Sequence, residues 1–500
     1  MTPAGAARAL ETVPVRVMAE AVVRREAAHP RGRRPSPSHH HSRLRPLHTR
    51  SMPASASGDG CFAVKCHRPL FDSSKHLVSR ASGKPMQKES CAIAVFGLFG
   101  SSNLGNEATL AAFLQNLRQA WPGVRILTIV PRASAIDQTN GLVRLQMDPL
   151  PVQQLFWRLK PGRLQRIAVN VAALITEPLR RRRAAKLLEG VQTLFVPGTG
   201  VVDDFGQGPL DMPLHLDRWT AAAAAVGARV VFCSIGAATL QSALSRYFFL
   251  RSLRRSAYCS FRDQISNENA RALGYAGDPI VPDLVFGLKR AQHHSTDARW
   301  PPRTIGVGLM GYSGWNLDRD DGERVYRAYI ARIQTLIVRL LERGYAVRLL
   351  IGDTSADART SRDLLAALAP ASDPHFIAAP IATYQALIDE IALCDMVVAT
   401  RYHNVLLSLL AGRPTISLGY SDKNDALMQS MHQAAYVHAI EVFDVDDVIA
   451  QISALASLRE SPRAALLARA QQMRNRVIQQ FETLFAAEVT EYERCSRSAH

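Results

Sequence analysis

The chain has 500 residues, 47% of them hydrophobic, so it is long enough to bury a large core divided into two or three domains. Its formal net charge of +17 is unevenly spread, since residues 1–90 carry sixteen Lys and Arg against six Asp and Glu, and residues 151–190 carry nine against two. The rest of the chain is nearly neutral, which argues against a nucleic-acid-binding fold. Because no apolar run reaches about eighteen residues, no transmembrane helix is predicted.

Residues 1–90 are predicted to form a disordered basic arm, because they are rich in Pro, Ser, His and Arg and have few periodic apolar positions. The seven cysteines are scattered, without metal-ligand spacing, and several lie within apolar runs. This pattern is typical of reduced thiols, so we expect a cytoplasmic protein with no metal site.

The first ordered domain is predicted over residues 91–290. Apolar strands alternate with segments of helical periodicity, and glycines follow several strand ends, which is typical of parallel βαβ units. The predicted strands are residues 92–96, 125–130, 191–196, 229–234 and 258–263, and the predicted helices are residues 108–119, 219–227 and 266–273.

A glycine-rich turn follows the first strand, over residues 97–107. It lacks the Gly-Lys-Ser/Thr ending of a P-loop and the glycine spacing of a dinucleotide fingerprint. We expect its glycines to allow close approach of a ligand or of the opposite domain. Asn103 and Glu107 are candidates for contact with substrate. The alternatives are that Asn103 is a turn residue and that Glu107 favours the helix start through its charge.

Residues 291–303 form a predicted linker, after which the pattern restarts in a second α/β domain over residues 304–470. Its predicted elements include strands at residues 304–310 and 346–351 and helices at residues 326–343 and 383–394. A last amphipathic helix is predicted at residues 470–490, within a C-terminal helix and tail of residues 471–500. The predicted fold is therefore α/β, with two Rossmann-like domains that face each other across a cleft in a GT-B-like arrangement, preceded by the disordered N-terminal arm.

The most informative stretch lies between an apolar strand at residues 391–398 and an apolar helix at residues 405–411. The turn between them supplies Arg401, His403 and the N–H groups of a helix N-terminus. Arg401 can bind a carboxylate or phosphate through two hydrogen bonds, and His403 can carry a proton near neutral pH. The alternative is a capped turn in which both side chains bond to backbone carbonyls.

A further apolar strand follows and leads into Tyr420 and Lys423. Ligands of open α/β sheets bind beyond the carboxyl ends of the strands, so we expect Arg401, His403, Tyr420 and Lys423 to lie at one edge of the sheet. For Lys423 alone, exposure to solvent is the alternative.

Taken in order, these motifs resemble the polysaccharide pyruvyl transferase family over residues 92–425. The elements that carry the resemblance are the opening from Phe96 to Glu107, Pro197-Gly-Thr-Gly200 with Asp203 and Asp204, Phe261-Arg262-Asp263, Val281-Pro-Asp283, Arg401-Tyr402-His403, and the closing Tyr420 and Lys423. Three positions depart from the family pattern. Asn106 stands where the family has Asp, which argues against a metal or base role there, Thr199 interrupts a Gly-Gly-Gly core, and the residue after His403 is Asn404.

The resemblance implies transfer of a pyruvyl group from phosphoenolpyruvate to two sugar hydroxyls, with formation of a ketal. Phosphoenolpyruvate is then the donor substrate, and no cofactor is implied. Arg262 and Arg401 are expected to bind the donor together with Lys423 and Tyr420, and His403 is expected to be the general acid that protonates the enol carbon.

The implied acceptor is a polysaccharide or its lipid-linked precursor, and we expect it on the N-terminal side, near Asn103, Glu107 and Asp204. Residues 151–190, in which Phe156 and Trp157 lie among Arg and Lys, fit a peripheral contact with the inner face of an anionic membrane. A solvated basic helix is the alternative for this segment.

Two other functional classes remain open. A GT-B glycosyltransferase that uses a nucleotide sugar would also have an Arg- and Lys-rich pocket on its second domain. A non-catalytic member of the family would only bind a glycan. The intact Arg262, Arg401 and His403 argue against this last alternative, whereas the altered opening motif argues mildly for it.

Overall fold

The computed structural model describes residues 92–131, 142–150, 163–204, 208–276, 279–289, 301–314, 319–368 and 373–497. These residues lie within one compact unit of the chain. The predicted basic arm, most of the predicted linker and the aromatic residues Phe156 and Trp157 lie outside the described residues.

Six parallel strands of the first half form one sheet. The strands are β1 (Ala92–Phe96), β2 (Arg125–Val130), β3 (Leu142–Gln146), β4 (Val191–Pro197), β5 (Arg229–Ile235) and β6 (Tyr258–Phe261). The helices are α1 (Leu104–Ala120), α2 (Arg163–Ile175), α3 (Glu177–Leu187), α4 (Met212–Ala225), α5 (Ala243–Arg254) and α6 (Gln264–Ala272), and a 3₁₀ turn follows at Leu284–Gly287. The strand order is β3-β2-β1-β4-β5-β6.

The second half repeats this plan. Its strands are β7 (Thr304–Gly308), β8 (Ala346–Leu350), β9 (Phe376–Ile377), β10 (Met396–Ala399), β11 (Thr415–Gly419) and β12 (Val437–Ala439). Its helices are α7 (Arg319–Glu342), α8 (Ala358–Leu368), α9 (Tyr384–Ala392), α10 (Tyr402–Leu410), α11 (Asp422–Ser430), α12 (Val445–Ala456) and α13 (Arg463–Arg497). The strand order is β12-β11-β10-β7-β8-β9, and every pairing is parallel.

Both sheets have the doubly wound order, in which the third strand of the half lies at one edge and the sixth at the other. The order reverses between β1 and β4 in the first half and between β7 and β10 in the second. Ligands of such sheets bind at these reversal points, beyond the carboxyl ends of the strands. The predicted α/β class with two Rossmann-like halves is confirmed.

Strand β1 shows why these apolar runs form buried strands. All five of its residues are buried. Because side chains alternate across a sheet, Ile93 and Val95 enter one core, whereas Ala94 and Phe96 enter the core on the other face. A run that must be apolar on both sides is typical of a parallel sheet covered by helices.

One predicted strand begins later than expected. The prediction started it at residue 391, but residues up to Ala392 belong to α9, and β10 starts at Met396. The intervening Asp395 is a turn residue, since its carboxylate accepts the N–H groups of Arg303 and Thr304 at 2.9 Å each. Apolar character alone did not distinguish a helix end from a strand start.

The helix predicted at residues 470–490 is part of the longer α13, which packs against elements of the first half. Gln480 Oε1 accepts hydrogen bonds from Tyr258 and Ser260 of β6, and Phe481 stacks on Phe485, whose ring contacts Phe195 of β4. None of the helices in the described residues is long and apolar enough to span a membrane.

Near the end of α13, Glu488 is predicted to be important for stability. Its buried carboxylate accepts hydrogen bonds from Thr193 Oγ1 at 2.5 Å and from Arg229 Nη1 at 2.7 Å. Glu488→Ala should lower the free energy of unfolding by about 1–3 kcal/mol, because both charge-assisted bonds are lost. The control is Glu482→Ala, at an exposed position of the same helix. Urea unfolding measures both, and equal midpoints for the two variants would contradict the prediction.

Candidate functional site

The carboxyl ends of three strands bring the predicted donor-binding side chains together. Arg262 follows β6, Arg401 precedes α10 directly after β10, and Tyr420 follows β11. Arg401 is the N-cap of α10, with extended backbone at φ −68° and ψ 135°. Its side chain makes no capping hydrogen bond, and is therefore available for contacts elsewhere in the fold.

Arg401 is held by an aspartate that the sequence did not single out. Its Nε and Nη2 donate to the two carboxylate oxygens of Asp357, each at 2.6 Å, and the Asp357 side chain is fully buried. Asp357 also accepts the N–H groups of Gly311 and Asp353. The Nε–Nη2 edge of the guanidinium is thus occupied by Asp357, so a ligand could use this edge only by displacing that carboxylate.

Arg262 reaches from the first half into the second. Its guanidinium lies 4.4 Å from the centre of the Tyr402 ring, which is a cation–π contact. Its Nε lies 3.2 Å from Asp263 Oδ2, and its Nη1 lies 3.4 Å from Asp283 Oδ2. The group packs directly on the backbone of Gly236, where a Cβ would lie 2.9 Å from Arg262 Cζ.

Asp283 is the common partner of this cluster. Besides Arg262, its carboxylate accepts the Val285 N–H at 3.1 Å and lies 4.0 Å from His403 Nε2, and its charge helps to raise the pKa of the buried Tyr402, whose largest cause is burial. The residue is only 2% exposed. Sequence analysis quoted Asp283 within a family motif but assigned it no role, because nothing in a Pro-Asp pair shows which side chains face it.

His403 is largely but not fully buried, with 14% of its side chain exposed. Within the part of the chain that the structure describes, its Nε2 has no hydrogen-bond partner. Burial lowers the pKa of His403 to about 4, and although Asp283 raises it, the cations Arg262, Lys423 and Arg401 lower it further. The imidazolium expected from the sequence is therefore a neutral imidazole at pH 7 in this structure, because burial outweighs the single nearby carboxylate.

The two halves meet beside His403. Leu104 N–H donates to the Gly352 carbonyl, and Thr354 N–H donates to the Ser102 carbonyl, each at 3.0 Å. Gly105, in the first turn of α1, lies against the His403 ring, and a Cβ at this position would overlap the imidazole. Gly105 belongs to the glycine-rich turn, and its lack of a Cβ allows the close approach to the opposite half that was expected of these glycines.

A cleft of about 390 Å³ opens next to Arg262, within the range of about 300–1,000 Å³ that is usual for small-molecule sites. Residues from both halves line it. From the first half these include Asp203, Asp204, Thr239, Arg262, Asp263 and Asn269, and from the second they are Tyr420, Ser421, Asp422 and Lys423. The predicted Tyr420 and Lys423 thus share one cleft with Arg262.

The N-terminus of α11 supplies further anion-binding character to this cleft. Lys423 Nζ lies 4.7 Å from the centre of the Tyr420 ring. Ser421 is the N-cap of α11 but makes no capping hydrogen bond, and its buried Oγ has no partner among the described residues. A helix N-terminus, a lysine and an unsatisfied hydroxyl together suit a phosphate or carboxylate.

The side chains of Asn103 and Glu107 do not line the cleft. Asn103 Oδ1 accepts the N–H groups of Gly105 and Asn106 and so caps α1, whereas Glu107 Oε1 accepts the N–H of Gly100 at 2.7 Å. These are the turn and helix-start roles that the sequence left open as alternatives. Asn106, which departs from the family pattern, donates its side-chain amide to the Leu98 carbonyl, a bond that an ionised Asp could not make.

Asp204 lines the cleft, but both of its carboxylate oxygens are occupied. Oδ1 accepts the N–H of Gln241 and Oδ2 accepts the N–H of Ser242, at 3.1 and 2.9 Å. Asp204 therefore holds the segment that leads into α5. Its neighbour Asp203 also lines the cleft.

The backbone is strained at Thr199, which also departs from the family pattern. Thr199 has φ 58°, which is unusual for a β-branched residue, and its buried Oγ1 has no hydrogen-bond partner in the described part of the chain. Strained backbone of this kind is concentrated at ligand sites. Over the same described ranges, no group of three or more His, Cys, Asp or Glu side chains is arranged to hold a metal ion.

The contact between Gly105 and His403 predicts a pair of glycine variants with different outcomes. Gly105→Ala should lower the free energy of unfolding by about 1–3 kcal/mol, because the new methyl group must displace the imidazole or α1. Gly123→Ala is the control, since no atom lies within 4 Å of a Cβ there, and it should change stability by less than about 0.5 kcal/mol. If denaturant unfolding gives Gly105→Ala the stability of the wild type, the close contact does not exist.

Comparison with known proteins adds the family. The family model described as polysaccharide pyruvyl transferase matches residues 103–422, which is more than half of the chain. The match includes Arg262, Asp283, Arg401 and His403 and ends one residue before Lys423. No curated protein is significantly similar to the chain.

Several solved structures are similar to the chain at low identity. A glycosyltransferase from Rickettsia africae covers 80% of this chain and 98% of its own length, with 9% identity and a TM-score of 0.49. The Anabaena protein Alr3699/HepE, solved with UDP-glucose, covers 80% of this chain and 100% of its own length, with 9% identity and a TM-score of 0.47. A UDP-GlcNAc 2-epimerase from Neisseria meningitidis covers 80% of this chain and 100% of its own length, with 9% identity and a TM-score of 0.45. Because the family model matches more than half of the chain, this chain belongs to the polysaccharide pyruvyl transferase family and is a transferase.

Proposed function

We propose that the protein transfers the pyruvyl group of phosphoenolpyruvate to two hydroxyls of a glycan and forms a cyclic ketal. The observation that carries the proposal is that Arg262, from the first half, and His403, from the second, share Asp283 beside a cleft lined by Arg262, Tyr420 and Lys423, inside or directly next to the family match. Phosphoenolpyruvate carries a carboxylate and a phosphate, so its site needs several cations in fixed positions.

The donor is bound between the N-termini of α10 and α11. Lys423 and Ser421 Oγ contact one anionic group at the start of α11, with Arg262 on the facing side of the cleft. Arg401 contributes Nη1, the guanidinium nitrogen that does not bond to Asp357. Tyr420 carries the Lys423 ammonium over its ring and fixes its direction.

His403 is the general acid. A proton passes from His403 to C3 of the enol, and the acceptor hydroxyl adds to C2 and loses its own proton. The C2–O bond to phosphate then breaks, and the second hydroxyl adds to C2 and releases a second proton. One proton stays on C3, and inorganic phosphate departs with the C2–O oxygen. Of the two protons that the hydroxyls release, one returns neutral His403 to its acid form and the other is taken up by the departing phosphate.

In the empty site His403 is neutral, so the proton that it transfers must be taken up when the donor binds. Burial is the largest cause of its low pKa, and three nearby cations lower it further. A bound donor brings at least two negative charges to the same groups, which favours the imidazolium. His403 therefore takes up a proton when the donor binds, and the acid is formed only beside the substrate that it protonates.

The acceptor occupies the part of the cleft formed by the first half. Asp203, Thr239 and Asn269 line it there, and polar side chains of this kind suit sugar hydroxyls. This assignment replaces Asn103 and Glu107, whose side chains lie in the α1 cap. We propose a polysaccharide precursor on a lipid carrier as acceptor, used in the cytoplasm at the inner face of the membrane.

Incubation of the purified protein with phosphoenolpyruvate and a panel of lipid-linked and p-nitrophenyl glycosides tests the function. We expect acceptor-dependent phosphate release and a product that carries a pyruvyl ketal by mass spectrometry. Calorimetric binding of a nucleoside diphosphate together with no binding of phosphoenolpyruvate would instead favour a glycosyltransferase.

His403→Gln is predicted to bind phosphoenolpyruvate and to turn over about 10²–10⁴ times more slowly than the wild type, because the cations remain and the proton donor is lost. The control is His375→Gln, whose side chain is 69% exposed and should be replaceable without effect. Donor binding at pH 7, measured by calorimetry in buffers of different ionisation enthalpy, should show uptake of about one proton in the wild type and none in His403→Gln. Normal turnover in a folded His403→Gln protein would refute the mechanism.

Asp283→Asn is predicted to shift the pH dependence of kcat. The acid form of His403 persists up to its pKa in the donor complex, so kcat falls above that pH. Asp283 raises the pKa of His403, and its removal should move this alkaline limb about one pH unit or more towards lower pH. Asp263→Asn is the control, since it also removes a partner of Arg262 but is no cause of the His403 pKa shift. An unmoved limb in Asp283→Asn would show that the carboxylate does not act on His403.

A further inference from the structure

An exposed apolar stripe runs along α2 and α3, which contribute no residue to the lining of the cleft. The stripe consists of Val171, Leu174, Ile175 and Leu179, whose exposed fractions are 49%, 52%, 73% and 57%. Of the twelve large apolar side chains that the described residues expose, seven lie in residues 171–187 and 244–247. Single exposed apolar residues are ordinary, whereas such a concentration marks an interaction surface.

The stripe is continuous across the junction of the two helices. Thr176 N–H donates to the Ala172 carbonyl, and Arg180 N–H donates to the Thr176 carbonyl, so helical bonding continues through the junction. At about 100° per residue, the four stripe residues then fall on one face. The opposite face of α3 carries Arg180, Ala184 and Leu188, which are at most 3% exposed and pack on the fold.

Cations continue the same face beyond the apolar residues. Arg182 and Lys186 follow Leu179 at positions i+3 and i+7 and are exposed, as is Arg183 beside them. Residues 163–187 contain seven Arg and Lys against one acidic residue, Glu177. Apolar side chains followed by exposed cations on one helical face are the arrangement by which amphipathic helices bind at an anionic membrane surface.

Helix α5 exposes two further large apolar side chains. It packs on α4, as α3 does, and Arg181 of α3 and Arg255 at the C-cap of α5 both bind the buried Asp217 of α4. On α5, Tyr247 is 53% exposed and Leu244 is 41% exposed. A tyrosine with an apolar ring and a polar hydroxyl is well suited to the boundary between lipid and water.

We propose that this face, the α2–α3 stripe with Arg182, Arg183 and Lys186, docks on an anionic lipid bilayer. The positive charge of this face favours a bilayer over the N-terminal arm or a second copy of the chain. The N-terminal arm has a net charge of +10 and would be repelled by the same cations. A second copy in a twofold dimer would bring the cationic rows of both chains together. A bilayer rich in anionic lipid accepts the aliphatic side chains and attracts each cation.

The purpose of the surface rests on the proposed function, because a lipid-linked acceptor is confined to the membrane. Docking holds the enzyme where that acceptor is concentrated. The binding itself does not depend on the chemistry and can be measured apart from it.

The test is flotation of the full-length protein with vesicles of phosphatidylcholine that contain 30% phosphatidylglycerol. The test variant is Leu174→Asp with Ile175→Asp. The matched control is Leu393→Asp with Val442→Asp, positions that are 52% and 74% exposed, against 52% and 73% in the test variant. We expect about tenfold or weaker binding for the test variant and unchanged binding for the control, because only the former places charges in the lipid boundary.

Each further outcome is decisive. Equal binding of the test variant and the wild type would assign vesicle binding to the arm and overturn the proposal, as would equal binding to pure phosphatidylcholine. A change of the test variant from dimer to monomer in size-exclusion chromatography would make the stripe a contact between copies. Phosphate release with a soluble glycoside should be the same in the wild type and the test variant. Its absence from the wild type itself would instead refute the proposed function and leave the docking result intact.

Discussion

The carboxylate of Asp283 is the point on which the arrangement of the site depends. It faces Arg262 from the first half and Tyr402 and His403 from the second. Without this negative charge, the buried Arg262 guanidinium would lie near the His403 imidazole with one carboxylate fewer to balance it. A poorly balanced charge is costly in a low-dielectric interior. The carboxylate thus makes it possible for two strand ends of different sheets to present cations to one cleft.

A second constraint is the path of the chain before α1. Asn103, Asn106 and Glu107 each bond to backbone groups of the same turn, so the turn is rigid without a ligand. Its rigidity lets the backbone of Gly105 lie against the His403 ring. Motif residues that suggest substrate contact in the sequence therefore act through the backbone, by fixing the position of the histidine.

The sequence predicted the inner strands of both sheets, because buried parallel strands are apolar on both faces and end in glycine or polar residues. It did not predict the edge strands β3, β9 and β12, whose residues are half-buried or exposed. It also predicted that Arg401, His403, Tyr420 and Lys423 lie at one edge, since strand ends of a parallel sheet share an edge. It could not identify Asp357, which lies in the turn before α8, 44 residues from Arg401, and has no local pattern. Nor could it predict the low pKa of His403, because the burial that causes it comes from packing between the halves.

The ion pairs explain how a site with so many cations can exist without its substrate. Arg262 and Arg401 each have carboxylate partners, and His403 is neutral, so the buried charges are largely balanced in the empty protein. In the proposed reaction, a donor with two anionic groups competes with these carboxylates for the cations. Such a competition favours ligands that carry enough negative charge to replace what they displace, and it penalises neutral or singly charged molecules. If the proposed donor is correct, its selection depends on the internal carboxylates as much as on the cations.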